Sequence, residues 1–151
     1  MQNTFRQGRR QKTKTTELYE IAQNSGTEII CCDLPQTRSV SAMSCTGECY
    51  IGMDPFQIET TAEERVHLAH ELGHCETGSF YSAYSPLNVR GRQECRADRW
   101  AASKLVPPLE LKKALSMGIT CLWELAEYFD VTEEFIEKVM RIYCEKNILH
   151  L

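Results

Sequence analysis

Apolar and polar residues alternate along this chain with two different periods, and the switch between them divides it. Leu18, Ile21 and Ala22 have helical spacing, and Asn24-Ser25-Gly26 supplies a stop, so a short helix is expected over Glu17 to Gln23. Thr27 to Leu34 is β-branched and apolar, which predicts a buried strand closed by Pro35. Val40 to Cys45 and Cys49 to Met53 read as paired short strands around Thr46-Gly47-Glu48, ended by Asp54-Pro55. The strand Cys49–Met53 is expected beside the next helix, with a free edge for an extended peptide.

From Thr61 the period changes to that of a helix running to Cys75, with Thr60 and Thr61 followed three residues on by Glu63 and Glu64, a start signal. Glu76 to Asn88 is rich in turn formers and aromatics and is expected to be an irregular site rim. Helical spacing returns at about Arg92, where Glu94, Ala97, Asp98, Ala101 and Leu105 share one face until Pro107-Pro108 ends the helix. The tail predicts helices over Leu109 to Met117, Cys121 to Phe129 and Glu133 to Lys146. The elements together make an α+β fold: a sheet of about three strands packed on a helix bundle, with a C-terminal helical pair.

The first of the two long helices carries His70-Glu71-Leu72-Gly73-His74, an H-E-x-x-H pattern. Residues four apart on a helix lie one above the other, so His70 and His74 present two imidazoles to one point, half of a metal site. Glu71 lies on nearly the same face, where a general base for hydrolysis must stand. A third ligand is then needed. Glu94, with small Ala97 one turn on, would let its helix approach closely and supply a carboxylate. Glu76 is the rival, but it follows closely on the helix end. Asp98 is placed to accept the second N–H of a ligand histidine. A solvated acidic stripe paired with Arg92, Arg96 or Arg99 would explain Glu94 and Asp98 on charge alone, but Ala97 and Ala101 make that face suited to packing. His67, one turn before the motif, is expected to be a surface histidine, and His150 carries no weight.

With 151 residues and a net charge of -4, the chain suits one soluble domain, residues 17–151, behind a flexible arm over 1–16 that carries five basic and no acidic residues. The polar N-terminus has no apolar core behind it and no apolar run could cross a bilayer, so a cytoplasmic protein without membrane partners is expected. Its eight cysteines are then expected to be reduced. Most should serve as small core hydrophobes, with Cys45 and Cys49 facing each other across the hairpin. The tail has the outline of a helix-turn-helix, but Glu124, Glu127, Asp130, Glu133, Glu134 and Glu137 outweigh Lys138 and Arg141. Direct nucleic-acid binding is not expected, and the pair reads as packing or partner-binding.

Tyr50-Ile51-Gly52-Met53-Asp54-Pro55, leading through Glu63-Glu64-Arg65 to Leu68-Ala69-His70-Glu71-Leu72-Gly73-His74, resembles the ImmA/IrrE family of small metallopeptidases, in which a strand precedes a helix bearing A-H-E-L-G-H. Glu94-Cys95-Arg96-Ala97-Asp98-Arg99-Trp100-Ala101 through Leu105-Val106-Pro107 is similar to that family's second motif, as are Glu124 to Phe129 and Val131 to Glu134 to its C-terminal helices. Trp100, where phenylalanine is common, and the many cysteines depart from the pattern. The resemblance implies a zincin-like core holding one Zn2+, or another divalent ion such as Mn2+, on His70, His74 and Glu94, with Glu71 as catalytic base. It further implies a prophage or mobile-element endopeptidase that cleaves a separately encoded helix-turn-helix repressor. Oxyanion help is expected from Tyr81 or Tyr84, the irregular loop favouring neither. The other function to weigh is a non-catalytic regulator, an antirepressor or toxin that binds a repressor or DNA around a structural metal. Such a site needs no base beside an open position.

Overall fold

The computed structural model describes residues 15–149. The chain runs α1 (Thr15–Ser25), β1 (Glu28–Cys31), β2 (Ser39–Met43), β3 (Cys49–Met53), α2 (Thr61–Thr77), α3 (Leu87–Leu105), α4 (Pro108–Ser116), α5 (Leu122–Phe129) and α6 (Glu133–Glu145). This is the α+β class expected. The basic stretch, up to Lys14, lies outside the described residues, and Thr15 and Thr16 already open α1.

The sheet has the order β1-β3-β2, with β1 parallel and β2 antiparallel to β3. Both sides of β3 are therefore paired, and the free edge expected on Cys49–Met53 belongs instead to its hairpin partner β2. Nor is β1 a buried strand. Strand side chains point alternately to opposite faces, and helices cover only one face of this sheet. Ile29 packs on the core while Ile30 is 43% exposed, so a continuous apolar run sits on a half-covered strand.

One buried cluster joins Leu18 and Ala22 of α1, Ile51 and Met53 of β3, Leu68 and Leu72 of α2, Ala101 and Leu105 of α3, Leu111 of α4, Leu125 of α5 and Ile136 and Val139 of α6. The C-terminal pair is thus part of the core, and Tyr143 donates from its hydroxyl to the carbonyl of Val106 at 2.7 Å.

Two signals act where the sequence puts them. Thr60 caps α2 by accepting from the Glu63 amide, and Thr132 caps α6 by accepting from that of Phe135. The helix α3, however, begins at Leu87 rather than near Arg92. Pro86 fits before a first turn because it has no N–H to leave unsatisfied there, and the amides of Val89 and Arg90 bond its carbonyl, so the rim is shorter than expected.

The cysteines also differ from expectation. All eight are free, but Cys31, Cys45, Cys95, Cys121 and Cys144 are exposed and the other three half-buried. Cys49 pairs in register with Met43, not Cys45, and its thiol instead meets that of Cys75 on α2. Tight hairpin geometry turns the chain at Ser44 to Glu48 and carries Cys45 out of the ladder, with Gly47 at φ 89°. Among the described residues no helix is long and apolar enough to cross a membrane.

Candidate active site

The helix α2 delivers its motif to a cleft of about 410 Å3 bounded by β2 on one side and by Phe80, Tyr81 and Glu94 on the other. His74 lies in its last turn, and the way the helix ends matters. Gly78 adopts φ 62°, the left-handed conformation open to glycine, which turns the chain back so that the Ser79 amide bonds the His74 carbonyl at 3.0 Å. The same turn places the Ser79 carbonyl 2.6 Å from His74 Nδ1. A carbonyl only accepts, so Nδ1 carries the proton and the neutral ring's Nε2 lone pair faces the cleft.

His70 is oriented by a second partner. Its Nδ1 lies 2.9 Å from Asp98 Oδ1, and Lys138 Nζ on α6 reaches the same oxygen at 3.0 Å. The two Nε2 atoms face each other at 3.2 Å, and Glu94 closes the triangle, Oε2 being 3.1 Å from His70 Nε2 and Oε1 3.3 Å from His74 Nε2. All three donor groups lie within 4.8 Å of one another. A tetrahedral zinc with bonds of about 2.0–2.2 Å sets its donors roughly 3.3 Å apart, so the spacing suits such an ion. Glu76 is exposed and outside this cluster.

The electrostatics call for positive charge at the centre. Burial disfavours the charged form of His70, yet the bonds to Asp98 and Glu94 outweigh it and raise its pKa to about 9. His74 is likewise raised against the effect of burial, chiefly by Glu94. His70 and then His74 hold the Glu94 carboxyl well below the usual range. Burial would raise Asp98, but its bonds from His70 and Lys138 bring it below the ordinary value. Two imidazole lone pairs and a carboxylate converging on one point, with a second carboxylate behind, form a donor set matched to a divalent cation. Here either protons or a metal must supply the charge.

Residues 59–141, more than half of the chain, match the family model of the M78 peptidases, described as the IrrE N-terminal-like domain. The chain belongs to this family. No curated protein and no solved structure matches it. As an M78 peptidase it has a metallopeptidase-type function, and the matched span contains the two histidines, Glu71, Glu94, Asp98 and Lys138.

Other groups in this M78 site are less easily read from sequence. Glu71 is buried at 6% exposure, and each of its carboxylate oxygens accepts from a serine of β2, Oε1 from Ser39 and Oε2 from Ser41, both at 2.7 Å. His67, expected at the surface, is half-buried with Nδ1 3.0 Å from Ser39 Oγ. Burial, and then the nearby Arg38, hold it below its ordinary pKa. Two serines alternating with Val40 on a strand otherwise facing a helix were the available signal. Lys138 and Ser79 gave none, since neither belongs to a motif. Of the two tyrosines, Tyr81 donates to Glu94 Oε1 at 2.6 Å and has its pKa raised to about 12, chiefly by that bond, whereas Tyr84 is 97% exposed and away from the cleft.

Proposed function

We propose that this protein is a zinc-dependent endopeptidase that cleaves a partner protein, a helix-turn-helix repressor of a phage or mobile element, and so relieves gene silencing. The convergence of His70 Nε2, His74 Nε2 and Glu94 beside the carboxylate of Glu71 carries this reading. The repressor as substrate rests on the family resemblance.

His70, His74 and Glu94 would hold the zinc, which when bound supplies a Lewis acid to polarise the scissile carbonyl and acidify water. Glu71 takes the proton of the attacking water and delivers it to the leaving amine. Asp98 and the Ser79 carbonyl keep both histidines in the Nδ1–H tautomer. Tyr81 donates its one hydroxyl proton to Glu94 Oε1, and would supply it to the developing oxyanion once that carboxylate turns to the zinc. β2 is an edge strand of the sheet and lines the cleft, so an extended segment of the partner would add to it as a further strand.

The test is metal content and cleavage of the neighbouring-encoded repressor, with wild type beside Glu71→Gln. One metal per chain in both and cleavage only by wild type supports the endopeptidase. Bound metal with an intact repressor under every condition returns the function to a binding regulator, and absence of metal from both removes the proposal.

A further inference from the structure

Glu71 is the group the proposed reaction depends on, and two side chains outside the H-E-x-x-H pattern hold it, with His67 behind one of them. Ser39 and Ser41 stand two apart on β2, so both hydroxyls leave the same face of the strand and meet the two oxygens of one carboxylate. The proton inventory gives the chain of bonds a direction. Glu71 as a carboxylate only accepts, so Ser39 spends its single hydroxyl proton on Oε1. The Ser39 oxygen can then only accept from His67, which must carry its proton on Nδ1. His67 donates to Ser39, and Ser39 to Glu71.

We infer that Ser39, Ser41 and His67 are positioning residues that fix the Glu71 carboxylate in a single orientation toward the cleft, the inference resting on Glu71 as the base. A glutamate has three rotatable bonds, and an unheld one must be ordered before each proton transfer. One bond to each oxygen removes that freedom while leaving a further lone pair on each for the reacting water. Because the clamp comes from the edge strand, the base is also registered to the strand along which a peptide would add. Burial, and then Arg38, hold His67 below its ordinary pKa, and its Nδ1–H faces Ser39 whether or not Nε2 is also protonated.

The test uses the full zinc-loaded chain with Ser39→Ala, Ser41→Ala, the double variant, Ser41→Thr and Glu71→Gln. Losing each hydroxyl should lower kcat about tenfold with KM and zinc affinity unchanged, and Ser41→Thr, which keeps the oxygen at a half-buried position, should recover most of it. Two readouts need no turnover. The 15N shifts of His67 should leave the Nδ1–H tautomer in Ser39→Ala, and 13C relaxation should show the Glu71 side chain loosened in the double variant. An equally ordered Glu71, an unchanged His67 tautomer or a fully active double variant overturns the inference. If the double variant is fully active while Glu71→Gln is dead, the clamp fails and the base survives. If Glu71→Gln cleaves like wild type, the base fails and the clamp with it.

Discussion

Gly73 packs directly on the backbone of Ala97. A Cβ at Gly73 would lie 2.5 Å from the Ala97 carbonyl oxygen and 2.9 Å from its Cα, so the contact is between the two helix backbones themselves. Ala97 is fully buried there. Glu94 sits one turn earlier on α3, and its reach to His70 and His74 depends on this close approach.

Gly73→Ala therefore sets two effects against each other. Helix propensity favours alanine by about 1 kcal/mol. Overpacking against an immovable backbone costs about 1–3 kcal/mol or more, because α3 must be pushed away. A net loss of stability is expected, together with weaker zinc binding as Glu94 recedes from the histidines. Thermal melting and a zinc competition titration check both, and unchanged zinc affinity would show that α3 does not set the ligand distance.

Asp98→Asn keeps the shape beside His70 Nδ1 and removes the charge that His70 and Lys138 share. Partners behind a ligand histidine contribute roughly 10–100-fold to affinity or activity. Zinc affinity should drop into that range with the fold intact by circular dichroism. Equal affinity in both proteins would reduce Asp98 to a surface ion pair with Lys138.

Asp54 is buried where the hairpin meets α2 and accepts from the amides of Leu34 and Phe56 and from Gln57 Nε2. The Leu34 amide is the largest of the causes that lower its pKa. Its folded value lies below its unfolded one, about 3.9. The stability it contributes is thus present above that pH and lost as pH falls through the folded value. Wild type should melt at progressively lower temperature on acidification below about pH 4. Asp54→Asn should melt lower at pH 7 and show a flatter acid limb, and parallel curves for the two proteins would contradict this account.

Arg65 is buried on α2 and donates from Nε to the Asp130 carbonyl at 3.0 Å, tying α2 to the turn between α5 and α6. Asp130 adopts φ 57° and caps α5. Arg65→Ala removes that bond and leaves a cavity, and should cost about 2–4 kcal/mol. Urea denaturation reads the loss as a lower midpoint. A midpoint within error of wild type would mean that the turn holds itself.

How much of this site could be read in advance depended on how local its geometry is. His70, Glu71 and His74 share one helical turn, so their common face follows from the 3.6-residue period whatever surrounds them. Glu94 and Asp98 were legible one step further out, because a carboxylate followed by Ala97 implies a helix that can come close, although Gly73 as the other half of that contact is evident only in three dimensions. The helix starts at Thr60 and Thr132 are local hydrogen bonds and were equally legible. Sheet order was not. Whether β2 or β3 is the edge depends on β1 inserting parallel against β3, a pairing that no short-range pattern encodes. The same pairing decides which strand faces Glu71, and so brings Ser39 and Ser41 to a residue some 30 positions later in the chain. Lys138 reaches Asp98 from 40 residues away for a similar reason, since α6 buries its apolar face in the common core and leaves Lys138 beside the site. Local periodicity determines what lies on one element, whereas contacts between elements follow from how their apolar faces are buried together.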